Sequence, residues 1–278
     1  MYKGRNLIIA TKHEKEKVIG PILEKELGVK CFVNLDLDTD ELGTFTGEVE
    51  RKDDPITTAR KKCLLAMEIS DCDLAISSEG SFGQHPSICF VNADDEILLF
   101  IDKKNDIEII SRELSVDTNF NGEEINSEKQ LHEFAKRVKF PSHGLIIRKA
   151  KDDFRNIVKG INNVEQLNNT FYNLITNFGT AYIETDMRAM YNPTRMKVIE
   201  CAAKKLADKI NTPCPVCKMP GFGITDSKKG LPCEICNFPT HSILSFIYSC
   251  KKCYFTNTKQ YPKGKKTEDP MYCDICNP

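Results

Sequence analysis

"DPITTARKKCLLAMEISDCDLAIS", at residues 54–77, joins a helix signature to a buried strand and thereby decides the fold class. Asp54 is a good helix-capping residue, and Pro55 suits the first helical position. The apolar positions that follow recur at helical spacing and are Ile56, Ala59, Cys63 and Met67. The stretch closes on "DLAIS" (73–77), which predicts a short strand. A helix that leads directly into a buried strand is typical of an α/β sheet.

The same alternation continues on both sides of this stretch. "NLIIAT" (6–11) predicts another buried strand. "SICFVNADDEILLFID" (87–102) predicts two strands that turn at Asp94 and Asp95. The acidic, glycine-containing residues 38–53 predict a loop or hairpin. We therefore predict an α/β protein whose N-terminal domain contains a mixed sheet.

The patterns divide the chain into three regions. An α/β domain covers 1–150, a mainly helical segment covers 151–211, and a cysteine-rich domain covers 212–278. The net charge of −1 excludes a general cationic field that would attract nucleic acid. No apolar run approaches the roughly 18–20 residues that a membrane span requires. We expect a cytoplasmic protein without a membrane partner.

Eight of the 13 cysteines form four C-x-x-C pairs after residue 213. They are Cys214 and Cys217, Cys233 and Cys236, Cys250 and Cys253, and Cys273 and Cys276. Two such pairs complete a tetrahedral site, so the eight thiolates predict two structural zinc ions in a double zinc ribbon. Disulfides or redox-active pairs are the alternatives, but this clustering in a cytosolic chain favours metal. A short segment with few large apolar residues also needs the metal in order to fold.

The cysteine spacing leaves the pairing open. In a sequential arrangement the first C-x-x-C pair joins the second; in an interleaved arrangement the first joins the third and the second joins the fourth. The stretch "KKCYFTNTKQYPKGKK" (251–266) places six lysines beside three aromatic residues. Cations mixed with aromatic rings favour phosphate contact and base stacking, so nucleic acid is a candidate partner of this domain. A solvated face of a small ribbon is the alternative.

Polar residues cluster where several predicted elements begin or end. "ISSEGSFGQHP" (76–86) follows a predicted strand and offers a carboxylate, two glycines and several hydroxyl or amide groups. Because α/β sheets bind ligands beyond the carboxyl ends of their strands, we expect a phosphate-bearing ligand here. The candidate residues for binding it are Thr11, Lys12, His13, Lys15, Lys17, Ser78, Gly80 and Ser81. The candidate catalytic residues are Glu79, Asp53, Asp54 and Arg60.

Three of these stretches together resemble the superfamily of inosine and xanthosine triphosphatases and Maf-like pyrophosphatases. The stretches are "IIATKHEKEK", "DDPITTARKKCLLAME" and "DLAISSEGSFG". The matched positions are Thr11 in the family's first loop, Arg60 in its helix, and Glu79 with Gly80 in its acidic loop. His13 stands where the family has asparagine. The family's lysine falls between Lys15 and Lys17, so either residue could correspond to it.

The resemblance implies a nucleotide-binding domain that hydrolyses a nucleoside triphosphate to its monophosphate with Mg²⁺. Glu79 and an acidic partner, Asp53 or Asp54, would hold Mg²⁺ against the phosphate oxygens. Arg60 and one of the two lysines would neutralise the phosphates, and a metal-activated water would attack.

A further polar segment, "ETDMRAMYNPTR" (184–195), precedes a predicted helix. Asn192 and Pro193 mark the helix start, which puts Arg195 in the first turn, where the helix dipole disfavours a cation. We expect Arg195 to pair with Glu184 or Asp186, or with a ligand phosphate, and Arg188 is a second candidate for phosphate. Together with the cysteine tail, this segment resembles an uncharacterised bacterial family.

Two functions compete on this evidence. The first is a zinc-binding, Mg²⁺-dependent nucleoside-triphosphate pyrophosphatase, which requires Glu79. The alternative is a non-enzymatic zinc-ribbon protein that binds nucleic acid or protein and requires the lysines of the tail.

Overall fold

The structure is a computed structural model and describes residues 1–35, 37 and 53–278. The loop or hairpin predicted over 38–53 lies outside the described residues except for Asp53. The chain divides into two compact units, Met1–Ala207 and Asp208–Pro278. We call them unit 1 and unit 2, and the predicted cysteine-rich domain falls inside unit 2.

The first sheet of unit 1 has the strand order β2-β1-β3-β4-β5. Its strands are β1 (Asn6–Ala10), β2 (Lys30–Phe32), β3 (Leu74–Gln84), β4 (Asn92–Asp102) and β5 (Ile107–Ser115). The first three strands run parallel, whereas β4 and β5 are antiparallel to their neighbours. The predicted α/β class and mixed sheet are therefore confirmed.

Two helices connect the parallel strands: α1 (Glu16–Leu27) and α2 (Pro55–Ser70). The α2 helix begins as its sequence predicts, because the Asp54 carboxylate accepts hydrogen bonds from the N–H groups of Ile56 and Thr57. Its small apolar face packs on the sheet, where Ala59 and Cys63 belong to one buried cluster with residues of β1, β3 and β4. This packing positions the first residues of β3, directly before "SSEGSFG".

Two sequence predictions in this sheet are wrong. "SSEGSFG" is not a loop, because β3 continues through it, and the chain does not turn at Asp94 and Asp95. The β3–β4 ladder runs unbroken from Leu74 opposite Asp102 to Gln84 opposite Asn92. Two adjacent acidic residues are typical of a turn, but here Asp94 is buried within β4 and Asp95 pairs with Arg112 of the neighbouring strand β5.

The second sheet of unit 1 is antiparallel with the strand order β6-β9-β7-β8. Its elements are β6 (Gly122–Ile125), α3 (Glu128–Arg137), β7 (Leu145–Arg148), β8 (Val158–Ile161), α4 (Val164–Phe178) and β9 (Ala181–Thr185). Apolar residues of α3 and α4, including Phe134 and Phe171, pack on one face of this sheet. The last helix, α5 (Pro193–Ile210), follows β9 after a short 3₁₀ turn.

The boundary predicted at 150/151 runs through this second sheet. Residues 151–211 contain the two helices α4 and α5, and they also contain β8 and β9. Those strands pair with β6 and β7 from the preceding region. Short strands such as "VKGI" carry little periodicity, so the sequence did not reveal them.

Unit 2 contains a three-stranded antiparallel sheet with the order β10-β11-β12. The strands are β10 (Gly223–Lys229), β11 (Ile243–Ser249) and β12 (Thr256–Gln260), and most of their residues are at least partly exposed. The buried apolar cluster in this unit is centred on Cys214, Phe222 and Cys250. None of the described helices combines the length and hydropathy that crossing a membrane demands.

Candidate metal centres and a buried charge site

The eight paired cysteines form two groups of four in unit 2. The first tetrad contains Cys214, Cys217, Cys250 and Cys253, and the second contains Cys233, Cys236, Cys273 and Cys276. Within each tetrad all four sulfur atoms lie within 4.8 Å of one another. Both groups are therefore arranged to hold a metal ion, and the pairing is interleaved.

Local backbone geometry presents the sulfurs in the same way in each C-x-x-C pair. The amide N–H one residue beyond each pair donates to the carbonyl oxygen of the first cysteine, as Lys218 does to Cys214 and Asn237 does to Cys233. Lys218, Asn237 and Tyr254 adopt positive φ to make this turn. The turn also points backbone N–H groups at the first sulfur, where those of Val216 and Cys217 lower the pKa of the Cys214 thiol against the effect of burial.

The two tetrads lie at opposite ends of the β10-β11-β12 sheet. Gly223 pairs with Ser249 at the end that leads into the first tetrad. Lys229 pairs with Ile243 at the other end, where the chain enters the loops of the second tetrad. The interleaved pairing follows from this hairpin arrangement, because antiparallel strands bring the first pair beside the third.

A buried lysine marks the polar site of unit 1. Lys15 precedes α1, and its ammonium donates to the Ser78 Oγ at 2.7 Å and to the Ser78 carbonyl oxygen at 3.1 Å. Burial lowers the pKa of Lys15 to about 7, and the charges of Arg195 and Lys62 act in the same direction. The loop after β1 is thereby tied to the middle of β3.

The carboxylate of Glu79 lies on the α2 side of the sheet. It forms an ion pair with the Lys62 ammonium at 2.5 Å, and both side chains are almost wholly buried. Lys62 is one turn beyond Ala59 on the helix face that packs against the sheet. The predicted acidic residue therefore has a cationic partner from α2 that the sequence analysis did not name.

The opposite side of the sheet carries the ion pair between Glu96 and Arg195. The Arg195 Nε donates to the Glu96 Oε1 at 2.6 Å, and both side chains have no solvent exposure. The guanidinium also donates to the Met187 carbonyl oxygen and lies over the Phe82 ring, 5.0 Å from its centroid. Gly80 provides the space, because a β-carbon there would lie 2.5 Å from the Arg195 Nη2 and closer still to Glu96.

Cations surround His13 in the loop after β1. Burial lowers the pKa of His13 to about 3, and the charges of Lys15, Arg195, Arg188 and Lys62 add to this effect. The imidazole is therefore neutral at physiological pH. These cationic groups, next to the carboxyl end of β1 and the middle of β3, make this region suitable for an anion.

Asp94 is the least satisfied acid of the site. It is 1% exposed, and neither carboxylate oxygen has a hydrogen-bond partner among the described residues. Burial and the nearby Glu96 charge raise its pKa to about 8, against the opposing charges of Arg195 and Lys15. Asp94 therefore carries its proton at neutral pH.

Several predicted residues do not join this site. Lys17 is exposed and pairs with Glu14, and Arg60 pairs with Glu108 of β5 through two hydrogen bonds. Asp53 pairs with Lys61, and Asp54 caps α2. Of the remaining candidates, Lys12 is exposed, Ser81 is half-buried, and the Thr11 Oγ1 accepts a hydrogen bond from the His13 N–H.

The expected partners of Arg195 are wrong. Glu184 pairs with Arg148 of β7, and Asp186 accepts hydrogen bonds from Arg188. Arg195 instead pairs with Glu96, which is 99 residues away in the chain. The sequence indicated correctly that Arg195 needs an anion. It could not show that the tertiary fold brings Glu96 of β4 next to Arg195.

Lys62, Asp94 and Glu96 are the site residues that the sequence analysis missed. A signal for Lys62 was present, because it shares helical spacing with the buried Ala59 and Ala66. Glu96 likewise alternates with Leu98 and Phe100 on one face of β4. A charged residue in register with core residues is a buried charge, and such a charge requires a partner.

Comparison with known proteins gives one family. A family model described as "Domain of unknown function (DUF6671)" matches residues 62–278, which is more than half of the chain. No curated protein matches the sequence. The matched region includes both tetrads and most of the buried charge site, but it begins after the loop that carries His13 and Lys15.

Gly80→Ala tests the space that the buried ion pair requires. The added methyl group must displace Glu96 or Arg195, so we expect the free energy of unfolding to fall by about 1–3 kcal/mol. Gly83→Ala in the same strand is the matched control, because nothing lies within 4 Å of its β-carbon position. Chemical denaturation measures both variants, and equal effects would contradict the proposed contact.

Asp94→Asn tests the unsatisfied carboxyl group. Since the folded-state pKa is raised to about 8 from 3.8, the wild type loses stability as the pH rises through this range, while the amide does not. The variant should therefore gain stability relative to the wild type between pH 4 and about 8. Thermal denaturation at several pH values measures this difference, which a constant offset would refute.

Proposed function

The chain belongs to the DUF6671 family, and we propose that this member is a zinc-stabilised protein that binds a phosphate-bearing ligand in unit 1. Zinc is the metal proposed for both cysteine tetrads. The ligand site lies at the carboxyl end of β1, beside the middle of β3. The observation that carries the proposal is the group of four cations around the neutral His13.

The sulfur geometry supports zinc at both tetrads. Four sulfurs at about 2.3 Å from a tetrahedral zinc ion are about 3.8 Å from one another. The shortest sulfur separations between pairs are 3.6 Å in the first tetrad and 3.5 Å in the second. These distances exceed a disulfide bond of about 2.05 Å, and four thiolates in a tetrahedron are the preferred ligands of zinc.

The arrangement of charge supports a phosphate ligand. Loops at the carboxyl ends of parallel strands are the usual ligand position of open α/β sheets. Arg188 has 23% side-chain exposure and the residues from Thr11 to His13 are at least partly exposed, whereas the side chains of Lys15 and Lys62 are almost wholly buried. Guanidinium and ammonium groups in a partly dehydrated setting bind phosphate through charge-assisted hydrogen bonds.

Hydrolysis of the ligand stays a prediction that rests on the sequence resemblance. The three carboxylates expected to hold Mg²⁺ have other roles in the structure: Glu79 pairs with Lys62, Asp53 pairs with Lys61, and Asp54 caps α2. A Mg²⁺ mechanism would require Glu79 to leave its lysine. Binding of phosphate leaves the wholly buried pair of Glu96 and Arg195 in place and requires only the partly exposed Arg188 to move, so it is the function that the geometry supports better.

Contact between nucleic acid and the tail also stays a prediction. Lys263, Lys265 and Lys266 are exposed, as the hypothesis requires. Each zinc ion with four thiolates, however, carries a net charge of −2, which offsets part of this positive charge. We therefore rank this function below phosphate binding in unit 1.

Removal of metal should unfold unit 2. Purified protein should contain two equivalents of zinc, because the unit has little apolar core without the two centres. A strong chelator should abolish the chemical-shift dispersion of β10–β12, which nuclear magnetic resonance measures. Intact β10–β12 signals after complete removal of zinc would contradict a structural role for the metal.

Pyrophosphate should bind to unit 1. In calorimetric titrations of the zinc-loaded protein, Lys62→Gln and Arg188→Gln should each weaken binding about tenfold, equivalent to about 1.4 kcal/mol. Lys17→Gln and Arg60→Gln are matched controls, because these cations pair with Glu14 and Glu108 outside the site.

Equal losses in all four variants would argue against the site, as would a wild type that binds neither pyrophosphate nor a nucleotide. Thermal denaturation identifies variants that are merely unstable. Pyrophosphate release from nucleoside triphosphates with Mg²⁺ in the same samples tests the hydrolysis hypothesis separately.

A further inference from the structure

The two cysteine tetrads have the same ligands but differ in burial. In the first tetrad, Cys214 and Cys250 are buried, and the other two cysteines are half-buried. In the second tetrad, Cys233 and Cys273 are buried, but Cys236 and Cys276 are exposed. Two of the four ligand residues of the second centre are therefore solvent-exposed, whereas none is in the first.

An aromatic wall covers the first tetrad. Phe222 lies 5.9 Å from Phe255 and 6.0 Å from Tyr248, measured between ring centroids, and all three rings pack with the tetrad in one cluster. Among the described residues, the buried cluster of aromatic rings and cysteines includes the first tetrad and not the second. The apolar residue inside a C-x-x-C pair is exposed in both tetrads, as Val216 at 61% and Ile235 at 71% show, so the aromatic wall is what distinguishes the two centres.

Exposure of a thiolate governs its oxidation. Thiolates attack peroxides, and the rate depends on access to the sulfur. We propose that Cys236 and Cys276 form a peroxide-sensitive site, whose oxidation releases zinc from the second tetrad while the first tetrad keeps its ion. This proposal rests on the zinc occupancy proposed above.

The chemical step balances within the tetrad. One thiolate attacks a peroxide oxygen, the O–O bond breaks, and a sulfenic acid forms with release of hydroxide or alkoxide. A second thiolate, within 4.8 Å in the same tetrad, attacks the oxidised sulfur and displaces hydroxide to give a disulfide. Two thiolates lose two electrons in total, the peroxide gains them, and zinc leaves because half of its ligands are gone.

Release of the second zinc would loosen a defined part of unit 2. Residues 261–278 contain the short 3₁₀ turn Pro270–Tyr272, and their described backbone contacts include the Glu234 N–H to the Glu268 carbonyl oxygen and the Glu268 N–H to the Pro232 carbonyl oxygen. Lys265 pairs with Glu268 in the same segment. Oxidation would therefore replace the four-ligand zinc anchor of the segment that carries three of the tail lysines by one disulfide, while the first tetrad still anchors the β10-β11-β12 sheet.

Stepwise oxidation of the full-length, zinc-loaded protein tests this proposal. Hydrogen peroxide is added in increments, a chromogenic chelator reports released zinc, and acid denaturation gives the total. We expect one of two zinc equivalents to leave in a first phase and the other in a distinct slower phase. Among the eight tetrad cysteines, peptide mass spectrometry after the first phase should place the oxidised sulfurs in the second tetrad alone, and the exposed Cys89 and Cys201 outside the tetrads are counted separately.

A matched pair of variants separates burial from ligand chemistry. Phe255→Ala opens the aromatic wall and should accelerate only the slower phase, whereas Phe238→Ala beside the second tetrad should leave the first phase unchanged. If Phe255→Ala does not fold, the phases and peptide map of the wild type still decide. Release of both ions in one phase, first oxidation at Cys217 or Cys253, or no release by excess peroxide would overturn the proposal, whereas protein that contains no zinc before oxidation would overturn the zinc assignment itself.

Discussion

The wholly buried guanidinium of Arg195 constrains much of unit 1. A charge without solvent exposure is stable only when protein groups replace its water, and removal of one partner of such a pair costs about 3–5 kcal/mol. Glu96, the Met187 carbonyl oxygen and the Phe82 ring supply these groups. These three groups belong to β4, to the segment after β9 and to β3. The contacts of the Arg195 guanidinium therefore connect α5 with the first sheet and with the segment that follows the second sheet.

A different constraint dominates unit 2. Its sheet is largely exposed, and its buried residues include one cysteine from each C-x-x-C pair. Two cysteine tetrads that could hold metal ions therefore stand where a larger domain would have an apolar core. Unit 1 is specified by its own side chains, whereas unit 2 has a small apolar cluster centred on cysteines of one tetrad.

Local sequence patterns predicted helices, strands and candidate metal ligands more reliably than they predicted which residues contact one another. The cap at Asp54, the helix α2 and the eight candidate metal-binding cysteines could be predicted from the sequence because their signals lie within a few residues of one another. The pairing of the cysteines and the extent of β3 could not, since both depend on strand pairing. Glu96 and Arg195 show the same limit most clearly, because each charge is visible in the sequence but their separation of 99 residues hides the contact.

The carboxylate partner of each arginine determines how easily that arginine could contact a ligand. Arg195 cannot turn away without breaking a wholly buried ion pair with Glu96. Arg188 differs, because its partner Asp186 also accepts hydrogen bonds from the backbone N–H groups of Gly160 and Arg188, at 3.0 and 3.1 Å. If the Arg188 guanidinium moves to a phosphate, the Asp186 carboxylate keeps these two donors. These two donors would offset part of the cost of moving Arg188 away from the buried Asp186, and its partial exposure gives an anion access to it, so Arg188 would make the first contact with the proposed phosphate ligand.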